Sequence, residues 1–236
     1  MTKIGIIADV HSNLYALEAV LDRFKHEHVD GVICCGDIIG TGPHPDEIVK
    51  AVMEIPNMLA CVSGNHDRYL TEGFSEEKMS PQEAAYHRWE HGRISRESRD
   101  FLAHLPYSVT LSVMGKAIYV THYAMDANNW YVAPKQYDYS HLCDIFGDVD
   151  ADIIIFGHEH KGCVINGDKW HINPGSLGCP GRDKNIARAG LLRVGENDVI
   201  YSEMRIAYDV AKTLEDIENL NFPAMDEIKR IFYGSK

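Results

Sequence analysis

Short apolar runs alternate with amphipathic helical patterns over the first 63 residues, and no other feature constrains the fold as strongly. The runs at residues 3–8, 31–35 and 57–63 have the length and composition of buried strands. Residues 13–26 and 46–54, which separate these runs, carry helical patterns. A strand–helix–strand–helix–strand order predicts a parallel sheet with helices on its faces.

The remainder of the chain changes character twice. Residues 71–105 are charged and helical in propensity, which predicts an inserted helical cap. Strands are then expected at residues 107–113, 116–121, 152–156, 163–165, 170–172, 190–194 and 199–204. Gly115, Gly167 and the 195–198 stretch mark hairpin turns, so this half leans antiparallel. Helices are expected at 138–146 and, interrupted by Pro223, at about 207–233.

One arrangement accommodates all these elements. We expect a single α/β domain over residues 1–236, in which two facing mixed sheets are flanked by helices as an α/β/β/α sandwich. The cap would be an insertion in that domain.

The composition limits which binding partners and which cellular compartment are expected. A net charge of −12 argues against stable binding to duplex nucleic acid, which needs a basic surface. No stretch approaches the roughly 20 apolar residues that span a membrane, and the first apolar run ends at Asp9, as a strand rather than a signal peptide would. A cytoplasmic protein is expected. The six cysteines form no CxxC pair and are expected to be free, mostly buried thiols.

Five short polar motifs follow directly on apolar runs. They are Asp9-Val10-His11, Gly36-Asp37, Gly64-Asn65-His66-Asp67, Thr121-His122 and Gly157-His158-Glu159-His160. In open α/β sheets ligands bind where strands end, so we expect these motifs to meet at one rim. His158 and His160 are two residues apart, so in an extended segment both imidazoles would point to the same side.

The residue types suit a divalent metal centre. Carboxylate, imidazole and amide donors fit first-row metals, and an aspartate can bridge two ions that together activate water and polarise a phosphoryl group. Each motif alone also has an ordinary interpretation as a helix cap, a turn or a surface histidine pair. The five in this order favour a two-metal site.

The order D-x-H, G-D, G-N-H-D, H and G-H-x-H resembles the calcineurin-like metallophosphoesterase superfamily, over residues 3–205. The stretch Asn173-Pro174-Gly175-Ser176 is similar to the turn that follows the last histidine motif in that family. Within the family, the chain looks most like small prokaryotic phosphodiesterases related to diadenosine tetraphosphate hydrolases. The resemblance implies two divalent ions, manganese first, with iron, zinc, cobalt, nickel or magnesium as alternatives. It implies these ligands: Asp9, His11, Asp37 and His160 at the first ion, a bridging role for Asp37, and Asn65, His122 and His158 at the second.

The resemblance also implies how catalysis would proceed. His66 would stabilise the transferring phosphoryl group or protonate the leaving oxygen, Asp67 would orient His66, and a metal-bridging hydroxide would attack phosphorus in line. Arg68 is the expected phosphate-binding residue, ahead of Arg182 and Arg188, and Glu159 is expected to be exposed. Tyr123-Ala124 stands where the family often has a small polar residue and proline, which leaves that loop's conformation open.

The substrate remains open at this stage. The first expectation is hydrolysis of phosphodiester or phosphoanhydride bonds, for example in nucleotides. A phosphomonoesterase, including a protein phosphatase, is the alternative, and a non-enzymatic binding platform is a third. Tyr86, Arg88 and Trp89 of the cap, and Trp130 and Tyr131 of the 126–131 loop, would either stack on a nucleobase or seal the cap. The C-terminal tail is a candidate dimer surface.

Overall fold

The fold is that of a computed structural model, in which the described residues are 1–127, 131–132, 139–179, 181–183 and 185–233. Its strands are β1 (Thr2–Ile7), β2 (Gly31–Cys34), β3 (Met58–Cys61), β4 (Ser108–Val113), β5 (Lys116–Thr121), β6 (Ile153–Ile155), β7 (Cys163–Asn166), β8 (Trp170–Asn173), β9 (Ile186–Val194) and β10 (Val199–Ala207). Its α-helices are α1 (Leu14–Glu27), α2 (Pro45–Met53), α3 (Asn65–Thr71), α4 (Pro81–His91), α5 (Arg96–Ala103), α6 (Tyr139–Phe146), α7 (Val210–Asn219) and α8 (Met225–Phe232). Short 3₁₀ turns occupy Glu76–Lys78 and Gly181–Asp183.

The strands form two mixed five-stranded sheets. The first has the order β10-β9-β1-β2-β3, in which β1, β2 and β3 are parallel and the β9–β10 hairpin joins the free edge of β1. The second has the order β4-β5-β6-β8-β7, with β5, β6 and β8 parallel between two antiparallel hairpin partners. The expected parallel first half and hairpin-rich second half are both confirmed.

The sheets pack face to face, which confirms the expected α/β/β/α sandwich. Alternation along β1 sends Ile4 and Ile6 into a core shared with Ile118, Ile153 and other residues of the second sheet. Ile7 belongs to a separate core beneath α1 and α2. On the outer face of the second sheet, a third core contains residues of α6.

Helix α1 shows why the sequence produces this packing. The Asn13 side chain accepts a hydrogen bond from the backbone N–H of Ala16, which caps the helix, and Leu17 and Phe24 lie on its buried face. Gly5 of β1 makes room for Phe24, because a Cβ atom at Gly5 would lie 2.5 Å from the phenylalanine ring.

The helices between β3 and β4 include most of the expected cap. Tyr86 and Trp89 of α4 both pack on Phe222, which lies between α7 and α8, at ring-centroid distances of 6.3 and 4.7 Å. Of the two roles weighed for these rings, sealing the cap is the one that the contacts support. Arg88 pairs with Glu76, and Trp130 lies outside the described residues.

Two boundaries differ from the sequence-based expectation. Strand β9 begins at Ile186 rather than at residue 190, because its pairing with β10 continues to the Ile186–Ala207 pair. Helix α3 begins inside the Gly64-Asn65-His66-Asp67 motif, because the Asp67 carboxylate accepts from the backbone N–H of Gly64 at 2.8 Å and caps the first turn. In the described part of the chain, no helix has the length and apolar character needed to cross a membrane.

Candidate metal centre

The five polar motifs meet at one end of the sandwich. Asp9 and His11 follow β1, Asp37 follows β2, and Asn65 with His66 follows β3. From the second sheet, the motifs after β5 and β6 contribute His122, His158 and His160. The site therefore spans both sheets at the carboxyl ends of their parallel strands, where ligand sites of α/β sheets occur.

One group of donor atoms surrounds His11. Its Nε2 atom lies 2.9 Å from Nε2 of His160 and 3.8 Å from Oδ2 of Asp37. The thiol of Cys179 is close enough to both imidazoles to complete a three-donor set. Cys179 is not among the site residues predicted from the sequence, where its only signal is its position just after the Asn173–Gly178 stretch.

A second group of donors surrounds Asn65. Its Oδ1 atom lies 2.9 Å from Nδ1 of His158 and 3.1 Å from Nε2 of His122. The other nitrogen of His122, Nδ1, lies 2.7 Å from the carbonyl oxygen of Cys35. Because that carbonyl can only accept, Nδ1 carries the proton, and the lone pair of Nε2 faces the cluster.

Asp37 lies between the two groups. Its Oδ2 atom is 3.4 Å from Nε2 of His122 and 3.8 Å from Nε2 of His11. Its Oδ1 atom accepts from the backbone N–H of His66 at 2.9 Å, which fixes the carboxylate. Asp9 is held similarly: Oδ1 accepts from the N–H of His158, and the buried Oδ2 has no hydrogen-bond partner.

These distances fit metal ligation better than hydrogen bonding among the side chains. Two donors bound to one ion at about 2.1 Å, at right angles, lie about 3 Å apart, as the facing atoms here do. A buried carboxylate oxygen without a partner, as in Asp9, is costly unless a cation neutralises it. The mixed N/O donor set suits divalent first-row metals.

Burial puts two of the imidazole donors in the protonation state that a cation needs. Burial and the neighbouring His160 hold the pKa of His11 well below its usual range, and burial lowers the pKa of His158 to about 3. Burial alone would raise the pKa of Asp37, but His122 and His66 outweigh it and hold that pKa low. Burial alone would lower the pKa of His122, but Asp37 outweighs it and raises that pKa to about 9, so a cation bound there would displace a proton.

The backbone at the site is strained. Asp9, His11, Asp37 and His158 have φ values of 52°, 50°, 50° and 70°, in the left-handed region that non-glycine residues seldom adopt. Such residues cost about 1–3 kcal/mol each and cluster at functional sites. The expectation of an extended segment at His158 is wrong, since its left-handed turn sends the two histidines of that motif to different donor groups.

His66 and Asp67 are both at the site but do not contact as expected. Nε2 of His66 lies 4.0 Å from Oδ2 of Asp37, facing the cluster. The Asp67 carboxylate accepts from the backbone N–H groups of Ile38, Ile39 and Gly64, so it braces the loops rather than orienting the imidazole. Burial, with the repulsion of Asp37, raises the pKa of Asp67 to about 7.

Arg68 lies at the edge of the cluster. Its guanidinium pairs with Glu72 at 3.0 Å and lies 5.7 Å from the ring centroid of Tyr131, whose ring stacks on His158. Arg188 pairs with Asp183, and the side chain of Arg182 lies outside the described residues.

Glu159 is only half-exposed, contrary to expectation. Tyr123, which is buried beside His158 and Phe156, donates its hydroxyl to Glu159 at 3.0 Å. Tyr123, which stands where the family often has a small polar residue, therefore anchors the Gly157–His160 loop.

A cavity of about 270 Å³ opens above the His11 side of the cluster. Its floor contains three imidazoles, those of His11, His66 and His160. Its walls come from the cap and from α8, and they carry Glu83 and Glu227 beside apolar side chains such as Ile228 and Phe232. None of its lining residues in the described chain is a lysine or an arginine.

Comparisons with known proteins agree with this geometry. Residues 2–197 match the model of the calcineurin-like phosphoesterase superfamily domain. The chain is 31% identical to protein MJ0912 of Methanocaldococcus jannaschii, with 93% of each covered, and 22% identical to phosphodiesterase YfcE of Escherichia coli, with 85% of this chain and 90% of YfcE covered. A metallophosphoesterase structure from Sphaerobacter thermophilus superposes with a TM-score of 0.77 at 25% identity, over 99% of both chains.

Proposed function

Because the chain belongs to the calcineurin-like phosphoesterase superfamily, we propose that it is a phosphodiesterase that depends on two divalent metal ions. The observation that carries this proposal is the position of Asp37. A single carboxylate oxygen faces His11 on one side and His122 on the other, which is the place of a bridging ligand.

The two donor groups support a proposal for the remaining ligands. His11 and His160 would hold one ion with Asp37 and, as the family resemblance implies, with Asp9, whose carboxylate also lies close to Asp37 and His122. Asn65, His122 and His158 would hold the other ion. Bound there, two ions would neutralise phosphoryl oxygens and lower the pKa of a coordinated water toward 7. We propose manganese first, with zinc, iron, cobalt, nickel and magnesium as alternatives. The nearby thiol of Cys179 favours softer ions of this group, such as zinc.

His66 is the proposed catalytic acid or phosphoryl-stabilising group. Its ring packs against Gly40, so closely that a Cβ atom there would lie 2.7 Å from Nδ1. Nε2 faces Asp37 and the floor of the cavity. Because burial lowers the pKa of His66, the ring is neutral at pH 7 and would act as a donor from Nε2.

The cavity bears on the substrate. A diester carries one negative charge, whereas a dinucleotide polyphosphate carries several that Glu83 and Glu227 would repel. The walls therefore favour a diester with an uncharged or apolar group over diadenosine tetraphosphate. The relative YfcE is named a phosphodiesterase, which supports the same class of substrate.

The phosphomonoesterase alternative has one observation in its favour. At about 270 Å³ the cavity is smaller than most ligand pockets, which span roughly 300–1,000 Å³, and a small site suits a compact monoester. We also propose a cytoplasmic location, because all six cysteines are free thiols.

Hydrolysis by metal-stripped protein, with and without Mn²⁺, tests the proposal. Bis-p-nitrophenyl phosphate, p-nitrophenyl phosphate and diadenosine tetraphosphate form one series. Turnover of the diester that metal restores supports the proposal, and turnover confined to the monoester supports the alternative. No turnover with any metal, despite bound ions, would instead support a binding platform.

Three variants separate the roles of the residues. Asp37→Ala should lose metal at both sites, and unchanged occupancy would remove its bridging role. His66→Ala should keep the metals and lose most activity, and full activity would remove His66 from the mechanism. His26→Ala is the matched control, because this histidine is 74% exposed on α1.

A further inference from the structure

Helix α4 carries a cluster of buried polar atoms without hydrogen-bond partners. They are Nδ1 and Nε2 of His87, Oε2 of Glu90 and Nε2 of His91. The spacing of these residues places all three on one helical face. Buried polar groups in folded proteins are nearly always paired, so four unpaired atoms at one place indicate a missing ligand.

The burial is deep and the imidazoles are neutral. His87 is fully buried and Glu90 is 1% exposed. Burial lowers the pKa of His87 to about 2 and that of His91 to about 4. Both rings are therefore neutral, and each has one nitrogen lone pair that a metal ion could bind. Burial also raises the pKa of Glu90 to about 8, so a bound cation would displace its proton.

The atoms are close enough to share one ion. One donor atom from each of the three residues lies within 4.8 Å of the others, and Nδ1 of His87 is 3.9 Å from Oε2 of Glu90. Small rotamer changes would bring them to ligand distances. Two imidazoles and a carboxylate are a common donor set for Zn²⁺ and similar ions.

The second oxygen of Glu90 is already held. Oε1 accepts from the backbone N–H of Gly40 at 2.6 Å and from the hydroxyl of Ser12 at 3.0 Å. These bonds leave Oε2 directed toward His87, as a ligand carboxylate supported by its neighbours would be. They also connect α4 to the loop that supports the imidazole of His66.

A cavity and a charged side chain lie beside the cluster. The cavity, of about 480 Å³, is lined in part by Phe74, whose ring centroid lies 5.2 Å from that of His87 and 5.5 Å from that of His91. Arg99 donates to the carbonyl of His91 at 3.1 Å, and its positive charge opposes a cation. The negative charge of Glu90 is therefore needed to hold an ion here.

We propose that His87, Glu90 and His91 form a further binding site for one divalent first-row cation, distinct from the centre at Asp37. The ion would join the cap to the loop at Gly40. The site does not depend on the proposed function, because none of its three ligands belongs to the Asp37 centre.

Metal counting tests the proposal. Stripped protein is reconstituted with excess Zn²⁺, passed through gel filtration and analysed for zinc per chain by mass spectrometry. Glu90→Gln and His91→Ala are compared with the wild type and with His26→Ala. Each of the first two should hold one ion fewer than the wild type, and the control should hold the same number. Equal zinc content in all four proteins would overturn the proposal.

Two further measurements test whether the ion at His87, Glu90 and His91 is separate from those at the Asp37 centre. Asp37→Ala should still bind one zinc ion that the double variant with Glu90→Gln lacks, which separates this site from the proposed phosphodiesterase centre. If only the Asp37 centre fails, a difference of one ion remains between wild type and Glu90→Gln. Reconstitution with Co²⁺ gives a second readout: the wild type should show a visible absorption component that His91→Ala lacks, and identical spectra would count against the site.

Discussion

Gly40 offers a sharp test of the position assigned to His66. It has a φ of +104°, and a Cβ atom there would lie 2.7 Å from both Cγ and Nδ1 of the imidazole. Because ordinary contacts begin near 3.4 Å, the ring of Gly40→Ala would retreat by about 0.7 Å. Misplacement of a catalytic group by about 1 Å can cost roughly 100-fold in rate. We therefore expect kcat to fall about 10- to 100-fold.

The same substitution also carries a backbone cost, which must be separated from the effect on His66. An alanine at this φ is strained by roughly 1–3 kcal/mol. Gly115→Ala is the matched control, because Gly115 has a φ of +78° and nothing within 4 Å of its virtual Cβ. It should lose stability without losing activity.

Three measurements on both variants separate the two effects. They are steady-state kinetics on the preferred diester, metal content and thermal unfolding. The expected result is a fall in kcat for Gly40→Ala alone, with metal content equal to that of the wild type. If Gly40→Ala folds, binds its metals and keeps wild-type kcat, then His66 does not act from the position seen here. Loss of metal from this variant would instead show that the loop, rather than the imidazole, is what the substitution disturbs.

Three further predictions concern metal, substrate and stability. Removal of metal with EDTA should lower the melting temperature by about 5–10 °C, if the free metal concentration before removal is 100 times the Kd. Re-addition of metal should restore the melting temperature. An unchanged melting temperature in calorimetry would argue against ions that bind only the folded state. Phe232 lines the cavity wall, with its ring centroid 6.1 Å from that of His160. Phe232→Ala should therefore lower KM for bulky diesters several-fold and leave KM for small diesters unchanged. An equal effect on both would show that Phe232 does not select the substrate. Burial alone would raise the pKa of Asp46, but hydrogen bonds from Lys50, Ser98 and Ser95 outweigh it and hold that pKa well below its usual range. The stabilisation from Asp46 is therefore present at neutral pH and lost as the pH falls below about 4. Asp46→Ala should lower the free energy of unfolding in urea by about 2 kcal/mol at pH 7 and make it less dependent on pH. The same pH dependence of unfolding in wild type and variant would refute this role of Asp46.

The placement of the motifs could be predicted because it depends on local pattern. Apolar runs of strand length ended where Asp9, Asp37 and Asn65 begin, and parallel pairing brings such ends together. His122 and His158 follow the same rule in the second sheet. The face-to-face packing of the two sheets could be predicted because apolar residues alternate along the strands.

Other contacts depend on which loops meet, and the pattern along the chain carries no such information. The sequence predicts that Asp67 orients His66, but its carboxylate instead accepts from the backbone N–H groups of Ile38 and Ile39. His158 adopts a left-handed φ although it is not itself a glycine. The cluster on α4 is a second example, because Glu90 is held by Gly40 and Ser12, which lie 50 and 78 residues away along the chain.

The charge distribution at the cavity gives the proposed substrate preference a physical basis. The chain is acidic overall, and the cavity walls add Glu83 and Glu227 without a lysine or arginine among its described lining residues. Attraction for a phosphate must then come from divalent ions, whose charge Asp9 and Asp37 neutralise only in part. A singly charged diester would gain that attraction and meet little repulsion from the walls, whereas each further negative charge would be repelled. This repulsion acts over several ångströms and is screened over about 8 Å at physiological ionic strength. Added salt should therefore lower KM for polyphosphates more than for diesters, as an acidic wall that selects by charge requires.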